Sequence, residues 1–203
     1  GQTPAFWAAG SELLRSKSLD GDSHNSGDHF NALDWAGRDN GWGRGLPPAD
    51  RNFESWIIQA ELLAHDELRP TTHDIAVAQA QAFDLLRLRR STPLFSLGSA
   101  ELIHERVTFP ASGPRAQPGV IIMVIDDGAG EADVDPALDG VVVVLNATPH
   151  EIGQRVDALV GRFLVLSDVQ AHGSDPVVRE TRFDAATGKV TVPARTVAVL
   201  VEP

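Results

Sequence analysis

The rhythm of apolar positions changes near residues 91–98. Upstream, apolar residues recur three and four apart, as on one face of a helix; downstream they alternate or run together, as in strands. Phe53, Trp56, Ile57, Ala60 and Leu63 predict an amphipathic helix over about 52–64, its apolar stripe turned to a core. A second helix is predicted over 72–90, with Ile75, Ala78, Ala82, Leu85 and Leu86 as its buried stripe. Pro70 blocks helix before it, Thr71 and Asp74 have capping-box spacing, and Pro93 ends it. Arg87, Arg89 and Arg90 complement the negative end of that helix dipole, which explains them without a binding patch. At the start of the chain, residues 3–10 are short, apolar and aromatic and suit a buried strand.

Beyond the switch, strands are predicted at 102–109, 120–126, 141–147, 162–166, 178–183, 189–192 and 196–202. Residues 184–188 form a hairpin loop, with Gly188 available for a positive φ. Short strands spaced by such turns imply an antiparallel sandwich. The fold class that follows is α+β, with a helical first part and an all-β end.

Between these parts, residues 16–52 have no periodicity but hold six glycines and ten Asp or Asn residues. They also carry His29, Phe30, Trp35 and Trp42, and linkers rarely carry such aromatics, so an ordered functional loop is expected rather than a disordered one. Carboxylates, amides and hydroxyls alternating with flat rings suit a sugar, which offers vicinal hydroxyls and an apolar C–H face. Loop capping by Asp and Asn is the competing explanation of the same residues.

Charge and composition remove other classes. A net charge of −11 argues against nucleic acid, and no apolar run approaches the length of a membrane span. With no cysteine, disulfides and thiolate metal sites are excluded and the compartment stays open. No signal peptide opens the chain, whose first residues have the character of folded interior. The seven histidines never fall at zinc-like spacing. The acidic run Asp126, Asp127, Glu131, Asp133, Asp135 and Asp139 lacks the ordered ligand positions of a calcium loop and is expected to be a solvated turn. Gly41-Trp-Gly-Arg-Gly45 does not lead directly into a helix, as a phosphate-cradling loop would. No metal and no cofactor are expected.

The loop carries a more specific signal. Leu13-Leu-Arg-Ser-Lys-Ser-Leu-Asp20, Ser26-Gly-Asp28, Phe30-Asn31 and Leu33-Asp-Trp35 resemble the segment after the eighth barrel strand of pullulanase-type starch-debranching enzymes, in the α-amylase clan of glycoside hydrolases. Asp39-Asn40 and Gly45-Leu-Pro-Pro48 continue the resemblance, and Leu85–Arg89 with Thr92–Gly98 are similar to the last barrel helix and its exit. Residues 120–127, 141–149 and 192–199 are similar to the terminal β-sandwich.

The resemblance implies the end of a (β/α)8 barrel over residues 1–98 and a C-terminal β-sandwich over 99–203. The implied parent hydrolyses α-1,6-glucosidic links in pullulan, amylopectin and limit dextrins with retention, which needs two carboxylates. In the family those groups precede the eighth strand, so no catalytic residue is assigned to this chain, and it is expected to be inactive alone. What carries over is substrate binding: Asp28 facing the sugar subsites, Asn31 shaping the loop, and Arg15 and His29 beside them. The family commonly has aromatics at His24 and His29, an aspartate at Asn25, and arginines at Gly21 and Ala32. Losing an arginine at Ala32 removes a fixed multi-donor partner for sugar hydroxyls. The implied partners are an α-glucan and the remainder of the barrel, and an extracellular location suits such an enzyme. The alternatives are a freestanding, non-catalytic carbohydrate-binding or structural module, and another debranching parent such as an isoamylase or limit dextrinase.

Overall fold

The computed structural model describes residues 2–114 and 116–203. The chain divides into two compact units, Phe6–Phe83 and Gly1–Ala5 with Asp84–Pro203. It is an α+β protein in which every strand pair is antiparallel.

Among the described residues, the larger unit is built on eight strands: β1 Val107–Thr108, β2 Val120–Asp126, β3 Gly140–Asn146, β4 Ile152–Arg155, β5 Val165–Leu166, β6 Arg182–Asp184, β7 Lys189–Val192 and β8 Thr196–Glu202. They form a five-stranded sheet in the order β1-β2-β3-β8-β5 and a three-stranded sheet in the order β4-β7-β6. In β3 the run Gly-Val-Val-Val-Val-Leu is apolar on both sides, which a strand tolerates when both sheet faces are covered. Its alternate residues go to separate cores. Val142 and Val144 join Ile122, Leu200 and, from the small sheet, Ile152, Val190 and Val192. Val141 and Val143 join Val199, Leu88, Leu94, Phe95 and Leu97. Register holds this pattern in place, Val120 pairing with Asn146 and Asn146 with Thr196, because a one-residue slip would exchange the two faces.

Buried polar groups tie the strand ends. The Asn146 amide donates to the carbonyls of His150 (2.8 Å) and Pro193 (2.7 Å). Arg106 is fully buried and donates to the Asp127 carboxylate and to the carbonyls of Asp127 and Ala132. Asp127 in turn accepts from the N–H groups of Val134 and Asp135. The acidic run is thus not a solvated turn throughout: Asp127 is a buried anchor, and removing either partner would strand a charge in the interior.

The smaller unit contains three short helices, α1 Gly27–Asn31, α2 Ala49–Asn52 and α3 Trp56–Leu63, and most of α4, Thr72–Arg90. The remaining helices are α5 Ala100–Arg106 and α6 Asp168–Ala171. The capping box of α4 is formed: Thr71 N–H donates to the Asp74 carboxylate (2.8 Å) and Asp74 N–H to the Thr71 hydroxyl (3.2 Å). Its stripe is carried by Ile75, Ala82 and Leu88, whereas Leu85 and Leu86 are exposed.

Several expectations need correction. Residues 3–10 form no strand; among the described residues no neighbouring strand supplies backbone partners, and Phe6 is 99% exposed. Strand 102–109 is mostly α5, because Ser99 caps a helix by accepting from Leu102 N–H, and just Val107–Thr108 pair. In 162–166 pairing is confined to β5, and in 178–183 a 3-10 turn at Val177–Glu180 precedes β6. Strand β4 was not anticipated, since Ile-Gly-Gln-Arg has no apolar alternation. The helix expected over 52–64 is divided, with a 3-10 turn at Phe53–Ser55. It also turns the other way: Phe53 and Ile57 are exposed, while Asn52 and Gln59 are buried. Because α3 is apolar almost all round, spacing selects no face, and the hydrogen-bonding demands of the adjoining loop decide it.

Candidate functional site

The loop from Arg15 to Gly45 starts with an unusual backbone. Lys17, Ser18 and Leu19 all have positive φ (51°, 52° and 65°), a conformation that L-residues avoid and that persists when surrounding contacts dictate it. Those contacts come from the Ser-Lys-Ser side chains. Ser16 Oγ accepts from Ser18 N–H (3.1 Å), Ser18 Oγ donates to the Gly45 carbonyl (2.6 Å), and Lys17 Nζ donates to Ser23 Oγ (2.9 Å). Ser16 N–H donates to the Asn40 carbonyl (2.8 Å), and the Asn40 amide returns a bond to the Leu14 carbonyl (2.9 Å).

Asp20, 4% exposed, is the hub. Its carboxylate accepts from Asp22 N–H (3.0 Å), the Asn52 amide (3.0 Å) and the Ser26 hydroxyl. Burial pushes the Asp20 pKa up, but the bonds from Ser26, Asn52 and Asp22 N–H, with the Lys17 charge, outweigh it and hold it below the usual value. Gln59 extends the network to the Leu19 carbonyl (3.1 Å) and Asn52 Oδ1 (3.2 Å). Here lies the reason α2 and α3 face inward with polar residues.

On this base the four expected site residues, three of them on α1, are engaged unequally. Arg15 Nη1 donates to the Asn31 carbonyl (3.4 Å). The Asn31 amide staples the helix, donating to the carbonyls of Ser23 (2.6 Å) and Gly27 (3.1 Å). His29 Nε2 lies 2.7 Å from the Arg44 carbonyl, while Arg44 Nη1 donates to the His29 carbonyl (2.9 Å). The His29 ring meets Phe30 edge-on at 4.8 Å. Asp28 differs: it is exposed, and among the described residues its carboxylate has no hydrogen-bond or ion-pair partner. A few residues earlier, His24 Nδ1 lies 3.1 Å from Asp22, and Asp22, His24, Ser26, Asp50, Arg51 and Asn52 line a polar pocket of about 130 Å³.

Downstream, Asp34 accepts from the N–H groups of Ala36, Arg38 and Asp39, the first of these being the main reason its pKa is lowered. The Asp39 pKa is also lowered, chiefly by the hydrogen bond from Arg44 (2.7 Å) and then by Gly41 N–H.

Sequence reasoning did not anticipate the organising residues Asn52, Gln59 and Arg44. An amide at 52 and another at 59, seven apart and so on one helical face, were the available signal for the first two. Among the described residues no three His, Asp or Glu side chains are grouped to hold a metal, and no helix is long and apolar enough to cross a membrane.

Residues 37–203 match the family model described as alpha-1,6-glucosidases, pullulanase-type, C-terminal. The chain is 43% identical over 201 residues to chloroplastic pullulanase 1 of Arabidopsis thaliana, covering 97% of this chain and 21% of that protein. It is 38% identical over 207 residues to pullulanase of Klebsiella pneumoniae, covering 100% of this chain and 18% of that protein. It therefore spans about a fifth of the length of these relatives. Among solved structures, PulA from Klebsiella oxytoca superposes with a TM-score of 0.89 at 35% identity, over 100% of this chain and 19% of that one. A maltotriose complex of PulA from Klebsiella pneumoniae superposes with a TM-score of 0.84 at 37% identity, over 96% and 21%. With a family match across residues 37–203 and agreement in fold along nearly its whole length, the chain belongs to the pullulanase-type α-1,6-glucosidase C-terminal family.

Proposed function

We propose that this chain serves as the C-terminal part of an enzyme that hydrolyses α-1,6 branch links in pullulan- and amylopectin-type glucans. Residues 1–98 complete the catalytic (β/α)8 barrel, and residues 99–203 form the β-sandwich that stabilises it. The loop supplies one wall of the substrate cleft, with Asp28 facing the sugar and Arg15, His29 and Asn31 around it. The catalytic carboxylates belong to the rest of the parent. The observation that carries the reading is the contrast within α1: the side chains of His29 and Asn31 are bonded to the loop backbone, while the Asp28 carboxylate is free among the described residues. A carboxylate so placed accepts bidentately from neighbouring sugar hydroxyls. The maltotriose complex of the Klebsiella pneumoniae relative supports an α-glucan as the ligand class.

The test is calorimetric titration of the chain with maltotriose and with a branched glucan oligosaccharide, beside Asp28→Ala. Weak binding is expected, reduced about tenfold or more by the substitution. Equal binding by the variant would remove Asp28 from the site. Hydrolysis of pullulan by the chain alone would overturn the assignment of the catalytic groups elsewhere.

A further inference from the structure

A second polar pocket, about 250 Å³, lies in the smaller unit and is lined by Arg38, Asp39, Trp42, Gly43, Arg44 and Arg69. On a chain of net charge −11, three guanidinium groups converging on one cavity are conspicuous. Their engagements differ. Arg44 is committed to the Asp39 carboxylate (2.7 Å) and the His29 carbonyl (2.9 Å). Arg69 is seated across the loop, its Nη2 donating to the Trp42 carbonyl (3.0 Å), which leaves its remaining donors without a hydrogen-bond partner among the described residues. That seat exists because residue 43 is glycine: its φ is +74°, and a Cβ there would lie 2.9 Å from Arg69 Nη2. Arg38 has a 78% exposed side chain, and its Nε lies 3.5 Å from Asp34, whose oxygens already accept three backbone N–H groups.

The side-chain acceptors nearby are engaged as well, and the Asp39 charge is already paired with Arg44. Asp39 accepts from Gly41 N–H (2.8 Å) and Arg44. Asn40, also in the lining, uses its oxygen for Trp42 N–H (3.0 Å) and its amide for the Leu14 carbonyl. What the pocket offers a ligand is therefore charged donors. A neutral sugar, whose hydroxyls donate as well as accept, would leave donors unmatched, whereas an oxyanion takes planar guanidinium pairs directly.

We propose that this pocket binds a phosphate group, as the free anion or as a sugar phosphate monoester, with Arg38 and Arg69 as its charged partners. The pocket touches the Asp28 surface through the Arg44–His29 contacts, but Arg38 and Arg69 are not part of that surface and the proposal does not rest on the glucan reading. The test is titration of the full chain at constant ionic strength with inorganic phosphate, glucose 6-phosphate and glucose, repeated on Arg69→Gln and Arg38→Gln. Arg38 is exposed enough for its variant to fold, and thermal unfolding of both variants checks this. Saturable binding of phosphate or glucose 6-phosphate is expected, weakened about tenfold or more in each variant, with no binding of glucose. Phosphate binding alone marks the free anion as the ligand; tighter binding of glucose 6-phosphate marks the monoester. Failure of both to saturate, unchanged affinity in the two variants, or equal binding of glucose would overturn the proposal.

Discussion

Asp20 shows how one carboxylate can order a loop. Its three acceptor contacts join the turn at residue 22, the Ser26 hydroxyl ahead of α1, and Asn52 in α2, so a single side chain fixes the seat of Asp28. Asp20→Ala would leave the Asn52 amide and Ser26 hydroxyl without that acceptor, at a cost of about 2 kcal/mol. The pH dependence has a definite sign. The folded pKa lies below the ordinary aspartate value of 3.8, so the ionised group's contribution is complete above that value. It is lost as pH falls through the lower, folded value. The stability difference between wild type and Asp20→Asn should therefore be constant above about pH 5 and shrink in acid. Chemical denaturation at several pH values measures this; a difference that grows on acidification would contradict the assignment.

At the scale of elements, the β6–β7 hairpin depends on Gly188. Its φ is +66°, and a Cβ there would come within 2.5 Å of the Val156 carbonyl oxygen. Gly188→Ala thus meets an unfavourable conformation and a backbone clash together, and should destabilise by about 2 kcal/mol or more. Gly21, with no positive φ and nothing within 4 Å of where a Cβ would stand, is the matched control, and Gly21→Ala should be close to neutral in thermal unfolding.

The same hairpin marks what the sequence made legible. Strands β2, β7 and β8, helix α4 and the capping box are written locally, in β-branched runs, a proline stop and the Thr71–Asp74 spacing, and local signals suffice for them. Of the candidate site, the Ser-Lys-Ser segment and Asp28 were visible as residue types in a loop. Elements whose conformation is decided at a distance were not legible. The inward face of α3 is set by Gln59 reaching Leu19 forty residues earlier, which no window on the helix contains. Strand β4 exists because Ile152 and Gln154 find β7 partners at Val192 and Val190. Residues 3–10 have strand composition, yet composition forms no strand without a paired backbone.

At the scale of the molecule, the five-stranded sheet has two apolar faces, and they differ in what covers them. One is closed by the three-stranded sheet, so residues after 99 supply both sides of that core. The other is closed in large part by Leu88, Leu94, Phe95 and Leu97, which precede residue 99, with Leu102, Ile103, Val134 and Leu138 packed beside them. A fragment of residues 99–203 would retain the first core but partly uncover Val141, Val143 and Val199, all now buried. Burial of such side chains stabilises by about 1.5–3 kcal/mol each, a large share of the margin of a small domain. A fragment of residues 84–203 keeps both faces covered. It should unfold cooperatively and remain monomeric, whereas 99–203 should melt lower and self-associate through the uncovered sheet face. Calorimetry and light scattering on the two fragments make the comparison. Equal melting temperatures with both monomeric would mean that the 88–97 segment covers the sheet without stabilising it, and that the minimal folding unit begins where the strands do.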